Sequence, residues 1–196
     1  MIIGIDIDDT ISDTYEVMIN YAQEYQINEL KKEPILKKGS CNTHFYLTYL
    51  LDWNNGEDKE FLNEYYEKIV KETKPRTLAL KYLQKLHEDG NKIVLITARW
   101  EAENFNVRKA TENWIKANNV PCDKLIINAK NKLIAAQSEN VDVFIDDSFS
   151  NCKQISDAGI RTFLMDSRSN KEFEDEKIER IYSWPHAYMK INQLKK

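Results

Sequence analysis

Three carboxylates close the first apolar run of the chain. The sequence opens MIIGIDIDDT, in which the isoleucines predict a buried strand that leads into Asp6, Asp8 and Asp9. Because side chains alternate between the two faces of an extended chain, Asp6 and Asp8 are expected on one face. Two ionised carboxylates at the end of a buried strand repel each other, so a cation or shared protons must compensate them. Such a cluster indicates a site of chemistry.

Further polar groups follow two later strands or begin a helix. In a parallel sheet, ligands bind beyond the carboxyl ends of the strands, so groups at these positions are expected to meet at one edge. The segments concerned are Thr97-Ala98-Arg99 after the second strand, Asp146-Asp147 after the fourth, and Lys132 at the start of a helix.

These groups suit the chemistry of a phosphate ester. Asp6, Asp8 and Asp146 offer hard oxygen ligands for Mg²⁺. Thr97 offers a hydroxyl and a backbone amide, and Lys132 a positive charge, to a tetrahedral dianion. With that charge neutralised, Asp6 could attack phosphorus, and Asp8 could protonate the leaving oxygen and then activate water.

Short apolar strands alternate with amphipathic helices over most of the chain. This alternation predicts an α/β fold with a parallel sheet covered by helices on both faces. After the opening strand, strands are expected at Lys92 to Thr97, Leu125 to Ile127, Val141 to Ile145 and, as the last, Thr162 to Met165. A tail of mixed charge then leads to a helix from Pro185 to Leu194.

Composition excludes several classes of protein. The 196 residues fit about one domain with an insertion, and the net charge of −4 argues against binding a nucleic-acid polymer. No apolar stretch is long enough to span a membrane, and an immediate first strand leaves no room for a signal peptide. Three cysteines without a CxxC spacing predict reduced thiols, hence a cytoplasmic protein. The three histidines lack zinc-binding spacing. The oligomeric state stays open.

The order of the motifs resembles the phosphatase branch of the haloacid dehalogenase superfamily. That pattern has DxDx[T/V] after the first strand, Thr or Ser after the second, Lys at a helix start, and paired acids after the fourth strand. The segments GIDIDDT, LITAR, 129–132 and FIDDS further resemble the 5'(3')-deoxyribonucleotidase-like bacterial nucleotidases. The resemblance covers nearly the whole chain.

The resemblance implies a Rossmann-like core of residues 1–12 and 75–196, with a small helical cap at 13–74 that closes over the site. It implies a magnesium-dependent phosphomonoesterase that hydrolyses nucleoside monophosphates through a phosphoaspartyl intermediate. Substrate choice is expected in the cap, with candidates Tyr15, His44, Phe45, Tyr46, Tyr49 and Trp53.

The resemblance also assigns roles to individual residues. Asp6 is the nucleophile and Asp8 the acid and base. Asp6, the backbone carbonyl of Asp8, and Asp146 hold the metal, whereas Thr97, Ala98 and Lys132 bind phosphate.

Several alternatives remain open. Lys130 competes with Lys132, Arg99 either faces the substrate or pairs with an acid, and Asp147 is either a further functional acid or a helix cap. Asp9, which stands where many relatives carry Gly, is expected to cap the following turn or helix. For the whole protein, the alternatives are a phosphatase of sugar phosphates or another small metabolite and, more remotely, a receiver-like signalling module.

Overall fold

The computed structural model describes residues 1–37, 46–100 and 105–195. The elements of the N-terminal part are β1 (Ile2–Ile5), α1 (Thr14–Asn28), α2 (Tyr46–Leu51), α3 (Glu57–Glu72), α4 (Ala79–Glu88) and β2 (Lys92–Ile96). Those of the C-terminal part are α5 (Val107–Ala117), β3 (Lys124–Ile126), α6 (Lys132–Ser138), β4 (Val143–Asp146), α7 (Phe149–Asp157), β5 (Arg161–Met165), β6 (Ile178–Ile181) and α8 (Trp184–Gln193).

The six strands of the described chain form one parallel sheet in the order β3-β2-β1-β4-β5-β6. The predicted Rossmann-like α/β fold is therefore confirmed. From β1 the chain first builds the sheet in one direction and then continues from β4 in the other. The carboxyl ends of β1 and β4 thus form the crevice where ligands of such sheets bind.

Helices cover both faces of the sheet, and each face has its own apolar core. Ile3 and Ile5 of β1 pack on the face that contains Leu83 of α4 and Trp184 of α8. Phe144 of β4 lies on the opposite face, in a cluster with residues of α6 and α7. The alternation along each strand follows from the two-residue period of extended chain. The apolar strands are continuous because both faces are buried.

One strand was not predicted, because Thr162 to Met165 was expected to be the last. The structure adds β6, which pairs with β5 at the edge of the sheet. Its sequence is IERI, in which Ile178 and Ile181 are buried and the two charged residues between them are half-buried. An edge strand tolerates such residues, so β6 lacks the continuous apolar run that marks the central strands.

The segment between β1 and α4 is helical and has an apolar cluster of its own. Tyr25, Trp53, Phe61 and Tyr65 pack there at centroid distances of 5.3 to 6.1 Å. The two connections to the sheet run side by side, because Asp13 N–H donates to the Lys74 carbonyl at 2.8 Å and Arg76 N–H donates to the Ile11 carbonyl at 2.9 Å. This segment is where the cap was expected.

No described helix is both long enough and apolar enough to cross a membrane.

Candidate active site

Asp6, Asp146 and Asp147 form an acidic cluster at the switch point of the sheet. One carboxylate oxygen of each lies within 4.8 Å of the others. The register of the sheet brings them together: β1 pairs Ile5 with Ile145, and the Asp6 N–H donates to the Ile145 carbonyl at 2.9 Å. Asp6, which follows β1, and Asp146, the last residue of β4, are therefore neighbours. Hard oxygen donors in this number suit Mg²⁺.

Burial makes the charge of the acidic cluster costly. Burial raises the pKa of Asp6 well above its ordinary value, against the opposing effect of Lys132, and Asp146 raises it further. Burial likewise raises the pKa of Asp147, with Asp9 and Asp146 adding to the effect. A divalent cation would favour the ionised form of both carboxyls. The donor set and its electrostatics therefore fit a bound divalent metal.

Lys132 is the buried cation of the site. Its Nζ donates to Asp6 Oδ1 at 2.5 Å and to Asp146 Oδ2 at 2.8 Å, and its side chain is 5% exposed. The side chain of Asn131 caps α6 by accepting from Ile134 N–H at 3.1 Å, so Lys132 is the first helical residue. Its rival Lys130 is exposed and lines the cavity in front of the site. Lys132 is thus the lysine that neutralises the cluster.

The side chain of Asp8 points to a different partner from that of Asp6. Arg99 binds it with Nε at 2.9 Å and Nη2 at 2.7 Å, and Thr14 Oγ1 donates to it at 2.7 Å. Burial raises the pKa of Asp8, but the ion pair and hydrogen bonds with Arg99 outweigh it, so the pKa lies below its ordinary value. Of the two alternatives for Arg99, the structure shows pairing with an acid. The guanidinium is further fixed by Thr111, whose hydroxyl accepts from Nη1 at 3.2 Å.

Thr97 and Ala98 lie at the end of β2, beside the cluster. Thr97 is fully buried, and its hydroxyl accepts from the Arg99 N–H at 3.2 Å. Ala98 is exposed and lines the cavity. The next residue, Trp100, stacks on Tyr66 of α3 with ring centroids 4.4 Å apart and planes inclined by 7°. This contact ties the loop after β2 to the helical segment above it.

The hydrogen bonds around Asp147 and Asp9 indicate the roles of these two residues. Ser148 caps α7, so Asp147 is not the helix cap and belongs to the acidic cluster instead. Asp9 accepts from the N–H of Tyr15 at 2.8 Å, in the first turn of α1, which is the capping role expected of it. Asp9 has a φ of 56°, a left-handed conformation that explains why Gly suits this position. Burial raises the pKa of Asp9 to about 7, against the hydrogen bond from Tyr15.

Some residues of the site were not anticipated. Asn151 Nδ2 donates to Asp146 Oδ2 at 3.1 Å and orients that carboxylate, and Ser148 N–H donates to its other oxygen at 2.8 Å. Thr14, which binds Asp8, was missed as well. The one signal for Asn151 and Ser148 is their position in or before the first turn of the helix that follows the paired acids.

A cavity of about 370 Å³ opens in front of the cluster, and Asp6, Asp8, Asp146 and Lys132 line its floor. Among the cap aromatics proposed from the sequence, Tyr15 lines this cavity. Trp53 lies in the apolar cluster of the helical segment, and Tyr49 is 42% exposed, with the Lys37 ammonium 5.9 Å from its ring centroid. His44 and Phe45 lie outside the described residues, as does the side chain of Tyr46.

Comparisons with known proteins identify the family of the chain. The family model "5' nucleotidase, deoxy (Pyrimidine), cytosolic type C protein" matches residues 1–196. A nucleotidase of Clostridium acetobutylicum is 30% identical over 193 residues, which cover 98% of this chain and 94% of the relative.

Solved structures show the same fold. A haloacid dehalogenase-like hydrolase from Streptococcus pneumoniae superimposes with a TM-score of 0.67 at 13% identity, over 100% of this chain and 98% of that one. A hydrolase of the same superfamily from Geobacter sulfurreducens gives 0.60 at 13% identity, over 98% of both chains. The chain therefore belongs to the cytosolic type C family of 5' nucleotidases, has the fold of the haloacid dehalogenase-like hydrolases, and is a phosphoric monoester hydrolase.

Proposed function

We propose that this protein is a magnesium-dependent phosphomonoesterase that hydrolyses nucleoside monophosphates through a phosphoaspartyl intermediate on Asp6. The observation that carries the proposal is the convergence of three carboxylates and one buried ammonium on the floor of a single cavity. The family assignment gives the reaction class, and the name of the Clostridium acetobutylicum relative supports a nucleotide as substrate.

The carboxylates of Asp6 and Asp146 and the backbone carbonyl of Asp8 would hold the magnesium ion, with Asp147 as a further ligand or a partner of its waters. Two features support this assignment: the close approach of the three side-chain oxygens and the raised pKa values of Asp6 and Asp147. Bound there, the ion would neutralise phosphate oxygens and the nucleophile together.

Asp6 is the nucleophile of the proposal. One of its oxygens forms a bond to phosphorus while the bond from phosphorus to the ester oxygen breaks, which leaves an acyl phosphate and an alcohol. Lys132 favours the ionised form of Asp6 that attack needs, since the ammonium opposes the rise in its pKa that burial causes. The Ala98 backbone and the Thr97 hydroxyl, at the end of β2, would bind the phosphate oxygens beside it.

Asp8 is the acid and base of the proposal. In the first step it gives a proton to the leaving oxygen, and in the second it takes one from the water that attacks the phosphoaspartate. The ion pair with Arg99 favours the ionised form, which the second step requires. The same pair opposes protonation of Asp8 before the first step. Because a poor leaving group needs the proton that Asp8 donates, hydrolysis of its ester should depend most on this residue.

The substrate of the proposal is a small nucleotide in a cytoplasmic setting. A cavity of about 370 Å³ lies in the range of small-molecule sites. The net charge of −4 disfavours a nucleic-acid polymer as partner. A preference for sugar phosphates is the alternative that a substrate comparison would reveal.

Release of inorganic phosphate from nucleoside monophosphates, sugar phosphates and p-nitrophenyl phosphate tests the proposal. We expect activity that needs Mg²⁺, is abolished by a chelator or by Asp6→Asn, and is highest on nucleotides. Full activity of Asp6→Asn would refute the mechanism, and a clear preference for sugar phosphates would refute the substrate. A stable phosphoprotein without turnover would indicate a receiver-like module instead.

A further inference from the structure

One wall of the cavity consists of side chains that the proposed chemistry does not use. The acidic cluster and Lys132 form the floor. The wall consists of Phe149 at the start of α7, Tyr15 of α1, and residues 167–170 and Phe173 after β5. A role for this wall in substrate recognition rests on the proposed function.

Two phenylalanines form an apolar surface in this otherwise polar cavity. Phe149 and Phe173 stack with ring centroids 5.2 Å apart and planes inclined by 19°. Both line the cavity and both are half-buried. Phe149 is three residues beyond Asp146, so its backbone position is tied to the site of phosphate chemistry. Half-buried aromatic rings beside a reaction site favour a flat, apolar substrate group that covers their remaining surface.

Arg168 adds hydrogen-bond donors to the same wall. Its guanidinium lies 5.6 Å from the ring centroid of Tyr15, so it reaches from the sheet side of the cavity to the helical segment. Arg168 is exposed, and within the described part of the chain it forms no ion pair with a carboxylate. A planar guanidinium with several N–H groups suits acceptor atoms on the edge of a flat ring.

The wall is held firmly in place although no long helix or strand carries it. Arg180 of β6 donates to Asn170 Oδ1 at 2.6 Å, to the Asn170 carbonyl at 2.8 Å and to the Phe173 carbonyl at 2.7 Å. Asn170, which is 1% exposed, donates in turn to the Asp147 carbonyl at 2.7 Å. The segment Asp166–Phe173 is therefore fastened to the acidic cluster, which gives a preformed surface at a fixed distance from the reacting phosphorus.

We propose that Phe149, Phe173 and Arg168 form the nucleobase subsite. The base lies against the phenylalanine pair, and the Arg168 N–H groups donate to acceptor atoms on the base edge. Tyr15 of the helical segment lines the same cavity and lies beside Arg168. Since a base can stack on aromatic faces whatever its identity, this surface selects for the presence of a base.

A pair of substrates that differ by the base alone tests this proposal. Nucleoside 5'-monophosphates and ribose 5-phosphate present the same ester to the floor of the cavity, and only the former reach the wall. For Arg168→Leu, Phe149→Leu and Phe173→Leu, we expect kcat/KM on the nucleotide to fall by about tenfold, mainly through a higher KM. On ribose 5-phosphate, kcat/KM should stay within about twofold of wild type.

Two matched controls lie away from the cavity. Arg108→Leu removes an exposed arginine of α5, and Tyr182→Leu removes an exposed aromatic ring that stacks on His186. Both should leave the kinetics on both substrates unchanged. Because Arg168 is exposed, its variant should fold even if a phenylalanine variant does not.

The outcomes separate this proposal from the one on which it rests. Equal losses on both substrates, or no loss on nucleotides, would overturn the subsite while nucleotidase activity stands. A wild-type enzyme that prefers ribose 5-phosphate would overturn the nucleotide assignment and the subsite together.

Discussion

Replacement of Lys132 by methionine gives a quantitative test of the site's electrostatics. The substitution leaves two carboxylates, Asp6 and Asp146, with side-chain exposures of 6% and 0% and without their ammonium partner. Removal of one member of a buried ion pair costs about 3–5 kcal/mol of folding free energy. For a domain of this size, each kcal/mol lowers the midpoint of thermal unfolding by about 2–4 °C, so we expect a decrease of roughly 10 °C near neutral pH.

The penalty should depend on pH in a defined direction. The pKa of Asp6 already lies above its ordinary value in the folded protein, and loss of Lys132 raises it further because the ammonium opposes the shift. The folded state then binds more protons than the unfolded state from the ordinary carboxyl pKa upward, so stability falls as pH rises through this window. Below that window the carboxyls are protonated in both states, and this penalty disappears.

The assay is thermal unfolding of metal-free protein at several pH values. Lys132→Met should lose most stability at about pH 8 and clearly less at about pH 5. Lys130→Met is the matched control, since Lys130 is exposed and two residues away, and it should change stability by less than about 0.5 kcal/mol. A loss below about 1 kcal/mol at the higher pH, or one independent of pH, would refute the electrostatic account.

The remaining predictions concern the cation, two site residues and the core. Mg²⁺ should raise the unfolding midpoint of wild type more at about pH 8 than at about pH 5, since protons occupy the acidic cluster at the lower pH; an equal rise would contradict this. Asp8→Asn should slow nucleotide hydrolysis by about 10²–10⁴-fold and should slow p-nitrophenyl phosphate cleavage less, because p-nitrophenolate leaves without a proton. Rapid-mixing kinetics can measure the rate of this first step on both substrates. Arg99→Met should raise the pKa of Asp8, which moves the acidic limb of the pH–rate profile upward; an unchanged limb would argue against Asp8 as the base. Gly4→Ala should destabilise the protein by about 1–3 kcal/mol in denaturant titrations, because its Cβ would lie 2.7 Å from the Phe144 ring.

The sequence was sufficient to predict the central sheet and the floor of the site. The strands β1 and β4 are short apolar runs, and parallel pairing forces the acids that follow them to the same edge. Lys132 was expected at the start of a helix, and the structure makes it the first helical residue, after the Asn131 cap. These inferences succeed because they depend on local patterns and on one rule of parallel sheets.

Contacts between distant segments were not predictable in the same way. The pairing of Asp8 with Arg99 joins residues 91 positions apart, and nothing in either local pattern selects it over contact with a substrate. The strand β6 has too few apolar residues to be recognised alone, yet its Arg180 fastens the segment Asp166–Phe173 in place. Sequence reasoning looked for substrate recognition in the cap aromatics, and it did not anticipate that side chains from loops of the core also line the cavity.

The covalent intermediate is the most direct test of the central claim. A nucleoside monophosphate labelled with radioactive phosphorus is mixed with enzyme and Mg²⁺, quenched in acid within one turnover, and the protein is digested and mapped. The account predicts alkali-labile label on the peptide that contains Asp6 in the wild-type protein and none in Asp6→Asn. Turnover with no label on the wild-type protein, or label that persists in Asp6→Asn, would contradict it.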